Sequence, residues 1–196
     1  MQRRPICWLT ISSCCAVLWL FVLLLSQRQS EPMSLSGLAG IPSDPAVLDD
    51  SQSYAPQLLN LFAAWDFPVV TTDVVVAILD TGIAHQHPEF AGRILPGYDF
   101  INNDDDPEDD RGHGTHVAGI VAAALDNGEG MAGVCGFCRI LPVKIVTAKG
   151  TYSPEGIRQG LIYAADHGAD IVLMSLGTVT GSSLILEGIE YARARG

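Results

Sequence analysis

Two short blocks of this 196-residue chain hold side chains able to move a proton. The first is Val74-Val75-Val76-Ala77-Ile78-Leu79-Asp80-Thr81-Gly82, an apolar run that ends on a carboxylate. The second is Gly112-His113-Gly114-Thr115-His116-Val117-Ala118-Gly119, where a pair of histidines opens a run of small residues. An acid at a strand end and a histidine at a helix start are the parts from which an orienting carboxylate and a general base are assembled. The acid accepts a hydrogen bond from one ring N–H, which leaves the other nitrogen able to take a proton from a nucleophile. Paired histidines also suggest a metal. Zinc-binding helices place them a full turn apart around a glutamate, as H-E-x-x-H, and His113-Gly114-Thr115-His116 has neither feature. His116 therefore reads as a structural residue of the helix. His85 and His87 lead into Pro88-Glu89-Phe90 and read as part of a turn.

The elements that must position these groups are legible from pattern. Val74–Asp80 is continuous and β-branched, as a parallel strand buried on both faces is. Further strands are expected at Ile94–Phe100, Arg139–Val146 and Ile171–Met174. Helices are expected at Pro56–Trp65, His116–Leu125, Pro154–His167 and Ser183–Ala194. Ser153 is placed to cap the third of these, with Pro154 at its first position and Gly168 closing it. Arg193 and Arg195 complement the C-terminal dipole of the last. Strands alternating with helices indicate an α/β fold with a doubly wound parallel sheet. Residues 28–55, rich in Ser, Pro, Gly and Asp, read as a linker, and 56–196 as the folded domain.

From about residue 55 to its end the chain resembles the subtilisin-like serine peptidases. Ala77-Ile78-Leu79-Asp80-Thr81-Gly82-Ile83 matches the family's aspartate segment, and His113-Gly114-Thr115-His116-Val117-Ala118-Gly119 its histidine segment. The resemblance implies a subtilisin-like fold, with Asp80 and His113 as two members of a triad that runs Asp, His, Ser along the chain. Gly112 and Gly114 then suit close backbone approach around His113. Val172-Leu173-Met174-Ser175-Leu176-Gly177 matches the substrate-pairing strand, so that Ser175, Leu176 and Gly177 would bind peptide main chain. Gly150-Thr151-Tyr152 stands at the opposite pairing strand. Some members bind Ca²⁺ in the loop ahead of the histidine, and gapless matching puts those ligands at Asp99, Asp104, Asp106 and Glu108. Seven acids crowd Asp99–Asp110, and a hard cation taking about six to eight oxygens would relieve their repulsion; a plain solvated loop is the other reading.

The family's nucleophile lies in a Gly-Thr-Ser-x-Ala-x-Pro segment that this sequence does not contain. Ser153, Ser175, Ser182 and Ser183 lack that context, and Asn127 sits in an Asp-Asn-Gly-Glu-Gly loop rather than an oxyanion site. The expectation is the N-terminal portion of a serine endopeptidase, inactive or nearly so by itself. A missing or separately encoded C-terminal half would complete it. The alternatives are a membrane-tethered calcium- or peptide-binding module, and a metallohydrolase built on His113, His116 and the acids.

A net charge of −11 and a pI near 4.6 argue against nucleic acid and anionic membrane surfaces as partners; a protein or peptide substrate is what the resemblance implies. Residues 5–27 carry no charge, and Arg3 and Arg4 precede them. The apolar stretch across residues 6–25 approaches the ~20 residues that span a bilayer. Residues 1–27 therefore read as a signal-anchor or a signal peptide, with the N-terminus inside and the domain extracytoplasmic, or secreted if the leader is cleaved. Cys7, Cys14 and Cys15 belong to that stretch, whereas Cys135-Gly-Phe-Cys138 is expected as a local disulfide or two free thiols.

Overall fold

The computed structural model describes residues 42–49, 54–66, 74–177 and 181–196. The proposed leader helix over 6–25 lies outside the described residues, and among those described no helix is long and apolar enough to cross a membrane.

Four parallel strands form one sheet in the order β2-β3-β1-β4, with β1 Val75–Asp80, β2 Tyr98–Asp99, β3 Arg139–Lys144 and β4 Ile171–Leu173. Alternate residues of β1 serve opposite faces. Val75, Ala77 and Leu79 join Leu141, Val143 and Ile145 under Ile157, Leu161 and Ala164 of α5 (Pro154–Asp166). Val76 and Ile78 join Ile140 under Val117, Ala118, Val121 and Ala122 of α4 (His113–Ala122). Both faces are covered, which is why β1 carries no polar residue before Asp80 and why the fold is doubly wound. On the outer side α6 (Ser183–Arg195) packs on α5, with Gly188 set against Leu161 and the Arg158 backbone.

The expected strand over Ile94–Phe100 is cut to two residues. Ile140 exchanges backbone bonds with the segment at Arg93 and Leu95, and Lys144 accepts from Phe100 N–H. Between them stands Pro142, which has no N–H to give. Pro96-Gly97 interrupts the other side, where the Pro142 carbonyl occupies the place a Cβ at Gly97 would need. Ile94 is left as an isolated bridge to Ile140.

Further boundaries differ, among them the end of β3, at Lys144 rather than Val146. Pro56–Trp65 is two short helices, α2 (Tyr54–Leu58) and α3 (Leu61–Trp65), broken where Asn60 turns left-handed at φ 54°. Helix α4 begins at His113 rather than His116, and stops at Ala122 rather than Leu125 because Gly133 crosses against the backbone of Ala122 and Ala123. Part of the segment read as linker is docked. Asp44, fully buried, accepts from Asp126 and Asn127 N–H, and the short helix α1 (Pro45–Leu48) sends Val47 into a cluster with Leu61, Trp65, Leu125 and Ala132. Cys135 and Cys138 form a disulfide, the first of the two expected states.

Candidate active site

Asp80 is the last residue of β1 and is 1% exposed. Its Oδ1 accepts from Thr81 N–H at 2.7 Å and meets His113 Nδ1 at 2.7 Å. A carboxylate only accepts, so Nδ1 carries the proton and Nε2 is the ring's basic nitrogen. The imidazole itself is about half exposed, at 46%. One end is thus anchored in the core and the other is reachable, the disposition a general base requires.

Helix α4 arrives here without a capping side chain of its own, because its N-cap is Gly112 at φ 89°. Asp109 supplies the cap from outside the helix. Its Oδ1 accepts from Thr81 Oγ1–H, Arg111 N–H and Gly112 N–H at 2.8, 3.0 and 2.8 Å. Its Oδ2 accepts from Thr115 N–H and Oγ1–H at 2.9 and 2.6 Å. Thr81 Oγ1 in turn accepts from Gly114 N–H at 2.9 Å. Asp109 therefore ties the strand end that bears the acid to the helix start that bears the base. Sequence reasoning missed it. The signal was an acid one turn ahead of a glycine N-cap, where the orphan N–H groups of a first turn need an acceptor.

Burial alone would raise the Asp109 carboxyl, but the hydrogen bonds from Thr115, Arg111 and Gly112 outweigh it and hold the group below the ordinary carboxylate range. A folded-state value below the unfolded one adds stability above the unfolded value and loses it as pH falls through the folded one. The Asp109 contribution is therefore lost below about pH 4. Thermal unfolding followed from pH 6 to pH 2 should show a flatter acid limb in Asp109→Asn than in the parent, with a lower Tm at neutral pH. Equal slopes would refute the assignment.

The acidic loop is organised by a side chain the sequence reading left out. Lys144, buried at the end of β3, donates to Glu108 O at 2.9 Å and lies 2.9 Å from Asp110 Oδ2 and 3.8 Å from Asp99 Oδ2. A lysine closing a buried strand needs such partners. Of the four expected calcium ligands, Asp99 is fully buried and accepts from Ile101 N–H, Asn102 N–H and Asn102 Nδ2–H. Asp104 Oδ1 accepts from Asp106 N–H. Only Asp106 and Glu108 come together as ligands, and they do so with His85. The three-ligand group thus holds two of the four carboxylates, and Asp99 and Asp104 are engaged by N–H donors of the loop itself. Among the described residues no three-ligand group includes His113 or His116, which leaves the metallohydrolase reading without a site. His87 accepts from Glu89 N–H and packs on Phe90, as a turn residue does.

The expected peptide-pairing segments face one another. Ser175, Leu176 and Gly177 run on from β4 at the sheet edge, and Leu176 packs toward the core. Gly150, at φ 79°, closes a turn with Thr147 and lies under the Arg111 guanidinium. Tyr152 Oη–H donates to Gly177 O and joins the two segments.

The sequence profile described as the subtilase family matches residues 71–195. Thermitase of Thermoactinomyces vulgaris is 37% identical over 155 residues, which are 79% of this chain and 54% of thermitase. A thermophilic serine proteinase of a Bacillus species (strain AK1) is 36% identical over 167 residues, 85% of this chain and 41% of that protein. This chain spans about half the length of these relatives. Among solved structures, a protease from Pseudoalteromonas arctica superposes with a TM-score of 0.68 at 35% identity, covering 80% of this chain and 57% of its own.

Proposed function

Because this chain belongs to the subtilase family, we propose that it carries the acid–base half of a serine endopeptidase site. The observation that carries the reading is the 2.7 Å contact between His113 Nδ1 and a buried Asp80. In the reaction His113 Nε2 removes the proton from a serine hydroxyl, whose oxygen attacks the peptide carbonyl. The imidazolium then returns the proton to the leaving amine, and water repeats the cycle on the acyl-enzyme. Asp80 holds the tautomer and stabilises the imidazolium. The substrate main chain pairs along Ser175–Gly177 and Gly150–Tyr152, which requires Tyr152 to release Gly177 O.

The reading requires a serine in the family's Gly-Thr-Ser-x-Ala-x-Pro context, which Ser153, Ser175, Ser182 and Ser183 do not have. The chain by itself should give no serine labelling with a fluorophosphonate. Joined to the C-terminal portion of thermitase it should be labelled at the serine so contributed and should hydrolyse casein. Labelling of Ser153, Ser175, Ser182 or Ser183 would overturn the reading, as would a folded chimera that remains unlabelled.

The domain works on the extracytoplasmic side, a placement that the Cys135–Cys138 disulfide and the apolar run after Arg3 and Arg4 support. Ca²⁺ at Asp99, Asp104, Asp106 and Glu108 is proposed as a site that forms only on binding, with Asp99 exchanging its N–H donors for the ion. Millimolar Ca²⁺ should then raise Tm in the parent and not in Asp99→Asn. Equal shifts would exclude it.

A further inference from the structure

The Cys135–Cys138 disulfide lies against the C-terminal end of α4, the helix whose other end carries His113. We infer that it is a redox-sensitive fastener, opened by a dithiol reductant, that sets how firmly this helix end is held. The segment around it satisfies carbonyls that a last helical turn leaves without partners. Val134 N–H donates to Ile120 O at 3.1 Å, Cys135 N–H to Val121 O at 2.7 Å and Gly133 N–H to Ala123 O at 3.2 Å. Arg93 Nη1–H joins the two sides, donating to Ala122 O at 2.6 Å and Cys138 O at 3.3 Å. Gly136 packs so closely that its Cβ would lie 2.6 Å from Leu125 Cβ.

Magnitudes separate a fastener from a staple of the whole domain. What a cross-link removes from the unfolded chain grows with the logarithm of the loop it closes, and these cysteines are only three apart. The turn is also closed without the bond, because Cys138 N–H donates to Cys135 O at 3.0 Å. Opening the bond therefore loosens one helix end and leaves the fold standing. Cys138 is buried among Val117, Val121 and Ala122, whereas Cys135 is only partly buried, so an incoming thiolate meets Cys135 first. Its sulfur attacks Cys135 Sγ, the S–S bond breaks, and Cys138 leaves as a thiolate that takes up a proton. The reductant's second thiol then closes its own disulfide and releases Cys135 as a thiol. Two electrons and two protons pass from dithiol to disulfide, and no other reactant is needed.

The test is treatment of the full chain with dithiothreitol under native conditions. Alkylation with peptide mapping reads the bond, and amide hydrogen exchange locates the effect. Cys135 and Cys138 should both become alkylated without denaturant. Exchange at Gly133, Val134 and Cys135 should quicken at least tenfold while β1 and β3 keep their protection. Tm should fall by no more than about 5 °C, and reoxidation should reverse every change. The double variant C135S/C138S should match the reduced parent and ignore dithiothreitol. A bond that opens only in denaturant would overturn the proposal, as would exchange that reduction leaves unaltered or protection lost evenly across the sheet. None of these outcomes bears on the peptidase reading, which the serine-labelling experiment decides.

Discussion

His113→Ala, made in the chain completed with a serine-bearing portion, should lose about 10⁶-fold in kcat with KM little changed; the magnitude is the one known for subtilisin itself, a member of this family. The ring nitrogen that Asp80 does not hold is the base the dyad offers, and the substitution removes it. Asp80→Asn should cost less, about 10⁴-fold. Asparagine keeps a carbonyl for Thr81 N–H but loses the charge that stabilises the imidazolium. The dyad can also be read without turnover. A strongly deshielded Nδ1 proton should appear in the NMR spectrum of the 196-residue chain and vanish in Asp80→Ala. A His113→Ala enzyme within tenfold of the parent would mean that the chemistry is elsewhere.

The elements legible in sequence were those whose cause lies inside them. Strand β1 declares itself because both its faces are buried, and α5 because Ser153, Pro154 and Gly168 mark its two ends. Ser153 does accept from Gly156 N–H as a cap. The misses have remote causes. The break in β2 comes partly from Pro142, which lies on the neighbouring strand. The start of α4 is set by Asp109, which lies outside the helix, and the docking of α1 by backbone N–H groups of Asp126 and Asn127. At the site, Asp80 and His113 followed from resemblance, because family motifs encode which residues meet. Lys144 and His85 are tied to the loop by contacts across long stretches of sequence, and no local pattern announces them.

Gly114→Ala should destabilise the domain by at least about 3 kcal/mol, the upper end of overpacking costs, and should lower the activity of the completed enzyme about 10²-fold or more at temperatures where it still folds. A Cβ on Gly114 would sit 2.1 Å from Gly82 O and 3.2 Å from Asp80 Cβ. The carbonyl cannot retreat. Gly82, at φ 103°, already packs so closely under Pro107 and Glu108 that its own Cβ would lie 2.5 and 2.7 Å from their carbonyl oxygens. The added methyl must therefore lift the start of α4 away from β1, which opens the His113–Asp80 contact and strips Gly114 N–H from Thr81 Oγ1. Gly119, in the same helix, is the control. Its nearest neighbour would be Met131 Sδ at 3.6 Å, an ordinary contact. Gly119→Ala should stabilise by up to about 1 kcal/mol through helix propensity alone. Chemical denaturation of both variants gives the sign directly. If both substitutions stabilise, the helix start is not wedged against the strand end, and the close seat of His113 on Asp80 loses its structural cause.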